Sequence, residues 1–120
     1  MTNNKTRSLR FRELVTLILR ADGLSVIRKP EFKRLSEAVL HELEAGDIQG
    51  IPAWLINTRN EMKRDLSGAL DEARLDAVRD GKAQSAVVWY RPGRTTGEAY
   101  VVMTLDTFSG VLLRELEHQS

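Results

Sequence analysis

Apolar and polar residues in the first half of the chain follow a helical period at first and a strand pattern afterwards. A helix is predicted over residues 8–21, and Gly23 stands where it should end. Its apolar face consists of Phe11, Leu14, Val15 and Ile18. Residues 24–28 are apolar and β-branched, which predicts a strand that Pro30 closes. Residues 31–45 fit either a helix or a loop.

The middle of the chain carries clearer local signals. Residues 51–58 are typical of a strand that follows a Gly-Ile-Pro turn. Asp65 can cap a helix from residue 66 to about 80, and Gly81 stands at its end. The apolar residues of this predicted helix recur at helical spacing: Leu66, Leu70, Ala73 and Ala77.

The last third predicts two strands and one helix. Residues 85–90 and 99–104 have strand composition, and residues 92–97 are predicted to form the hairpin loop between them. Asp106 is predicted to cap a final helix. That helix would carry Phe108, Val111, Leu112 and Leu116. Because helices alternate with strands, we predict an α/β protein with one mixed β-sheet flanked by α-helices.

Length and composition narrow the class of protein. A chain of 120 residues fits one domain, with residues 1–7 as a flexible N-terminal arm and residues 8–120 as the folded unit. The absence of cysteine excludes disulfides, thiolate metal sites and a cysteine nucleophile. No apolar run is long enough to span a membrane and no signal peptide is visible, so we expect a cytoplasmic protein without a membrane partner.

The net charge of +1 conceals an uneven distribution of 18 basic and 17 acidic residues. Acidic residues concentrate in 37–47, in 71–80 and at the C-terminus. The residues that we expect to contact phosphate groups of a ligand are Arg12, Arg59, Lys63, Arg64, Arg91 and Arg94. Basic patches attract phosphate, although many charged runs are only solvated surface.

The segment from Gly46 to Asn60 has the outline of a metal-dependent nuclease core in which two parts are replaced. In such a core an Asp precedes a strand that carries Glu-x-Lys. Asp47 is present, whereas Asn57 and Arg59 stand at the Glu and Lys positions. Residues two apart on a strand share a face, so Asn57 and Arg59 should lie together and within reach of Asp47.

These two replacements change the chemistry that the segment supports. Paired carboxylates hold a magnesium ion, which polarises phosphate and lowers the pKa of its bound water. Asn57 removes one negative charge, so Asp47 alone is a weak host for a metal. Arg59 is useless as a general base but keeps a planar fork suited to phosphate. Taken alone, the pattern also fits ordinary polar positions on a half-exposed strand.

Three segments carry a resemblance to a known family. They are Gly46-Asp47-Ile48-x-Gly50-Ile51-Pro52, then Leu66-x-x-x-Leu70-Asp71-Glu72-Ala73, then Tyr100-Val101-Val102-Met103-Thr104-Leu105-Asp106-x-Phe108. In order and spacing they resemble the small Holliday-junction-resolvase-like endonucleases of actinobacterial phages and prophages, which belong to the PD-(D/E)XK nuclease superfamily.

The resemblance implies a restriction-endonuclease-like fold, DNA as a partner and a homodimer. Asp47 matches the family's metal-binding Asp. The family also has a metal-associated Glu in its first helix, after an aromatic residue. Here Phe11 is followed by Arg12, and the neighbouring Glu13 is a second, weak candidate for a metal. We expect no cofactor, and Mg²⁺ or Mn²⁺ only if activity is retained.

Three functions are compatible with these features. The first is a phage or prophage nuclease-fold protein that is catalytically inactive and binds DNA, branched DNA included, through the old active-site face. The second is a phage accessory protein that binds a host protein through the same scaffold, which the phosphate-repelling acidic segment 37–47 favours. The third is an active metal-dependent endonuclease with migrated ligands, in which Glu61 or Glu13 replaces the missing carboxylate and Lys63 the missing Lys. Each places the protein in the cytoplasm of a bacterial host.

Overall fold

The computed structural model describes residues 4–29, 44–61 and 63–119, which form one five-stranded mixed β-sheet and three α-helices. The elements are α1 Asn4–Ala21, β1 Ile27–Arg28, β2 Ile48–Gln49, β3 Trp54–Arg59, α2 Leu66–Arg79, β4 Gln84–Trp89, a 3₁₀ turn Thr96–Glu98, β5 Tyr100–Val102 and α3 Leu105–Gln119. The α/β class and the single mixed sheet are therefore confirmed. The open prediction for residues 31–45 falls almost wholly outside the described residues.

The strands follow one another across the sheet in the order β1-β2-β3-β4-β5. β3 and β4 are parallel, and every other neighbouring pair is antiparallel. The parallel register pairs Asn57 with Val87 and Arg59 with Trp89. The carboxyl ends of β3 and β4 therefore lie side by side at one end of the sheet, where open α/β sheets commonly bind ligands.

Two apolar clusters pack on opposite faces of the sheet. On one face, α2 presents a row of alanines at helical spacing, Ala69, Ala73 and Ala77. These small side chains let the helix lie close to Leu55, Val87 and Trp89 of β3 and β4. On the other face, α1 contributes Phe11 and Val15, which pack with Val26, Ile48 and Val88. The sheet is thus flanked by helices on both sides, as its alternating sequence pattern predicts.

The helix ends test the predicted caps. Asp65 caps α2 as predicted, because its Oδ1 accepts the Gly68 N–H at 2.9 Å. The prediction that Asp106 caps the last helix is wrong. α3 begins at Leu105, and Thr104 Oγ1 accepts the Thr107 N–H at 3.3 Å. Asp106 therefore lies inside the first turn, where its negative charge interacts favourably with the helix dipole.

Some element boundaries differ from the predicted ones because non-local pairing decides them. α1 begins at Asn4, so that residues 4–7, expected in the arm, belong to the helix. β1 contains only two residues, because the Leu24 N–H is used to close α1 by donating to Leu19 O at 3.0 Å. β2 is also two residues long and was not predicted, since such a strand leaves no periodic signal.

Among the helices that the structure describes, none combines the length and the apolar character needed to cross a membrane.

We predict that Gly50→Ala destabilises the fold by about 2 kcal/mol or more. Gly50 has a φ of +115°, and an added Cβ would lie 2.4 Å from the backbone oxygen of Ser25. Gly97→Ala is the matched control, because a Cβ there meets nothing within 4 Å. Chemical denaturation of both variants measures the difference. Equal midpoints for Gly50→Ala and Gly97→Ala would contradict the close approach of β2 to the segment after α1.

Candidate functional site

Asp47, Asn57 and Arg59 line one polar cleft of about 630 Å³ beside the end of β3. The Asp47 N–H donates to Asn57 Oδ1 at 3.3 Å, so these two residues are in direct contact. Asn57 is almost fully buried, and Arg59 stands two residues further along the same face of β3. The structure therefore brings together the three residues that the sequence pattern singled out.

Both carboxylate oxygens of Asp47 are engaged by neighbouring groups of the protein. Oδ1 lies 2.9 Å from Arg12 Nη2, which reaches it from α1. Oδ2 accepts the Thr58 N–H at 2.8 Å and the Thr58 hydroxyl at 3.2 Å. In addition, Asp47 O accepts the Lys29 N–H at 2.7 Å, just beyond β1. One side chain thus links the first helix to the middle of the sheet.

The guanidinium of Arg12 contacts Asp47 Oδ1, one of the two carboxylate oxygens that a metal ion could bind. The two side chains are only 19% and 17% exposed, so little water screens their attraction. Arg12 Nε is buried without a hydrogen-bond partner among the described residues. Arg12 was predicted to contact phosphate, but the guanidinium of Arg12 is directed into the protein against Asp47.

Arg59 is also held by carboxylates. Its Nη2 donates to Glu72 Oε2 of α2, and its Nη1 lies 3.5 Å from Glu61 Oε1. Burial alone lowers the pKa of Arg59, but the charges of Glu72 and Glu61 and their hydrogen bonds outweigh burial and raise it. Arg59 is therefore a permanent cation, and a phosphate would have to compete with two carboxylates for its fork.

The cleft is electrically balanced. The cationic side chains that line it are Arg12, Lys29, Arg59 and Arg79, and the anionic ones are Asp47, Glu61, Glu72 and Asp76. Four positive charges face four negative ones among the described lining residues. A cleft without net charge has no strong long-range attraction for a polyanion.

The residues of the cleft do not fit a divalent cation. Of the described acidic residues that line the cleft, Asp47 is the one hydrogen-bonded to Asn57, and Arg12 and Thr58 already engage both oxygens of its carboxylate. Glu13, the other candidate, lines a separate depression with Arg20 and Arg28 of α1 and β1. No group of three or more acidic, histidine or cysteine side chains converges within the described part of the chain.

Basic side chains also surround the carboxyl ends of β3 and β4, outside the cleft. On the α1 side, Arg7 and Arg10 line a small depression with Asn60 and Tyr90, the residues that directly follow these two strands. Arg7 and Arg10 were not among the predicted phosphate contacts, although their i, i+3 spacing places them on one face of a helix.

On the α2 side of the sheet, Arg64 and Arg91 both lie against the ring of Tyr100. Lys63 precedes Arg64 and lines a depression with Trp89, the last residue of β4. Arg94 differs from these residues, because its Nη1 pairs with Glu98 at 3.3 Å. We define the basic rim as Arg7, Arg10, Lys63, Arg64 and Arg91. None of its members forms an ion pair with another described residue.

Comparison with known proteins assigns the chain to no family: no family model, curated protein or solved structure matches it significantly.

We predict that the Arg12→Glu/Asn57→Glu double variant binds Mn²⁺, whereas the wild type and Asn57→Glu do not. The double change would place two new carboxylates around Asp47 and remove the guanidinium that neutralises it, which gives a hard cation the oxygen ligands it needs. Isothermal titration measures the binding.

The matched control is Arg10→Glu/Asn57→Glu, which changes the net charge equally but alters an exposed residue of α1 outside the cleft. It should bind no Mn²⁺. Binding by the wild type that disappears in Asp47→Ala would show that Arg12 does not exclude the ion.

Proposed function

We propose that this chain is a phage or prophage protein with a restriction-endonuclease-like fold that binds DNA without cutting it, and that the basic rim provides the contact. The three segments that resemble resolvase-like endonucleases support the fold and the origin. The observation that carries the binding function is the set of cations at the carboxyl ends of the parallel strands that have no ion-pair partner among the described residues.

The basic rim has the chemistry of a phosphate-binding surface. Its side chains are exposed, apart from the half-buried Arg91, so a DNA backbone can reach them without a conformational change. Cations without ion-pair partners gain more from a phosphate than cations that must first leave a carboxylate. Contacts of this kind are made to the backbone, and they carry little sequence information.

The residues of the cleft support the proposal that the protein does not cleave DNA. Metal-dependent hydrolysis needs a cation that polarises phosphate and activates water. The cleft instead holds Arg12 against Asp47 and two carboxylates against Arg59. A fixed guanidinium can attract phosphate, but it cannot supply a metal-bound hydroxide. The basic rim therefore replaces the old active-site face as the proposed contact surface.

DNA binding should weaken steeply with salt, because each phosphate contact releases counterions. Lys63→Ala/Arg64→Ala should weaken binding on the order of tenfold and reduce the slope of log K against log salt by roughly 1.5. Fluorescence anisotropy with single-stranded, duplex and four-way DNA, with and without Mg²⁺ and Mn²⁺, measures affinity. Gel electrophoresis of the same samples should reveal no cleavage.

The matched control for this prediction is Arg28→Ala/Arg74→Ala. It also removes two cations that have no ion-pair partner within the described part of the chain, but these lie on β1 and on α2, away from the rim. Equal losses in both double variants would contradict a defined binding surface. Salt-independent affinity, or no binding at all, would favour the alternative that the scaffold binds a host protein.

We also propose that two copies of the chain form a homodimer through α3. The α3 stripe consists of Leu105, Phe108, Leu112, Leu113 and Leu116, which are 46–80% exposed. The opposite side of the helix faces the sheet, where Gly110 lies against Gln84 and the Arg114 guanidinium stands 5.9 Å from the Trp54 ring. The apolar side of α3 therefore points away from its own domain.

The size of the α3 stripe suits a second copy. At roughly 150–200 Å² for a whole large apolar side chain, the stripe exposes on the order of 500 Å². A standard interface buries about 800 Å² on each partner, so the stripe would form most of an isologous contact.

Leu112→Arg should convert the dimer to a monomer in analytical ultracentrifugation, whereas Leu75→Arg on α2 should not. Leu75 is a suitable control, because it is 71% exposed and lies outside α3. The chain has no cysteine, so Leu112→Cys and Leu75→Cys each carry a single thiol. Oxidation should cross-link the first and not the second. A wild type that stays monomeric throughout the micromolar range would refute the dimer.

A further inference from the structure

Two arginines from separate parts of the chain converge on one aromatic ring at the end of the sheet. The guanidinium carbon of Arg64 lies 4.9 Å from the ring centroid of Tyr100, and that of Arg91 lies 4.3 Å from it. Arg64 precedes α2, Arg91 follows β4, and Tyr100 begins the edge strand β5. Tyr100 is 43% exposed, Arg64 is exposed and Arg91 is half-buried, so a ligand can approach the ring and the cations from solvent.

No carboxylate of the described residues neutralises this pair of arginines. Arg91 Nη1 donates to the backbone oxygen of Glu98 at 3.1 Å. The carboxylate of Glu98 is engaged elsewhere, because it accepts from Arg94 at 3.3 Å and from Thr95 Oγ1 at 3.2 Å. Two like charges therefore stand near each other without a counter-ion, an arrangement that a bound anion stabilises.

The ring of Tyr100 reduces the freedom of both side chains. A guanidinium held against an aromatic face gains a cation–π attraction and keeps its N–H donors free at its edge. A free arginine side chain loses much rotamer entropy when it binds a phosphate. An arginine that already rests on a ring loses less, so its fork is preorganised for the ligand.

We propose that Tyr100 is a positioning residue that holds Arg64 and Arg91 as a pair of forks for the backbone phosphates of one DNA strand. This inference rests on the proposed function and specifies part of the basic rim. It assigns the ligand as phosphodiester oxygens, because guanidinium forks match them bidentately. Tyr100 acts through the two arginines and needs no contact of its own with DNA.

The test is a double-mutant cycle on DNA affinity, measured by fluorescence anisotropy with a labelled oligonucleotide of mixed sequence over a series of salt concentrations. Arg64→Ala and Arg91→Ala should each reduce the salt slope by roughly 0.7–0.9, the value for one lost phosphate contact. Tyr100→Leu should weaken binding by about three- to tenfold. Tyr100→Phe should bind like the wild type, because the ring and not the hydroxyl holds the cations.

Coupling separates a positioning role from direct contact. In an Arg64→Ala/Arg91→Ala background, Tyr100→Leu should cost almost nothing, because no cations remain to be positioned. Leu75→Ala is the control: Leu75 is 71% exposed, lies on α2 outside both the basic rim and the α3 stripe, and its change should leave affinity unaltered. Thermal unfolding of every variant establishes that each one folds.

Three results would overturn the inference. Wild-type affinity in Tyr100→Leu would show that the ring positions nothing. An undiminished effect of Tyr100→Leu in the background without both arginines would show that the ring stacks on a base instead. A wild type without salt-dependent DNA binding would remove the proposed function and this inference with it, whereas the first two results leave the proposed function intact.

Discussion

The ion pair between Arg12 and Asp47 is the interaction on which the arrangement of the other elements depends. Arg12 belongs to α1, while Asp47 stands at the start of β2 and accepts two hydrogen bonds from Thr58 of β3. The Lys29 N–H donates to the backbone oxygen of Asp47 and so attaches the segment after β1 to the same residue. Because β1 and β2 contain only two residues each, their backbone pairing alone is weak. A largely buried carboxylate that forms one ion pair and accepts two hydrogen bonds supplies the specificity that these short strands lack.

The charged side chains of the protein form two regions that differ in how their charges are paired. Inside the cleft, cations and anions pair with one another, as Arg12 does with Asp47 and Arg59 with Glu72. Along the basic rim, cations stand without ion-pair partners among the described residues and converge on the carboxyl ends of β3 and β4. A net charge of +1 therefore describes neither region. The electrostatic field that a polyanion meets depends on the exposed, unpaired cations, and the rim provides them.

Local signals in the sequence predicted most of the fold, and non-local contacts account for what they missed. Asp65 caps α2 because the cap, the helix and the apolar period all lie within one short segment. The proximity of Asp47 to Asn57 was also predicted, from the position of an Asp ahead of the strand that carries Asn57. By contrast, β2 forms only because it pairs with β1 and β3. The partner of Arg12 lies 35 residues away in sequence, and that of Arg59 lies 13 away, so no period or motif announces either pair.

Asn57 and Arg12 together determine how the charge of Asp47 is balanced. A partly buried carboxylate such as Asp47 needs a compensating charge nearby. Because its neighbour Asn57 is uncharged, a single positive charge suffices to balance the site. Arg12 provides that charge from within the chain. A permanent internal cation balances Asp47 without a metal, and any metal ion that bound this carboxylate would have to displace a guanidinium that also ties α1 to the sheet.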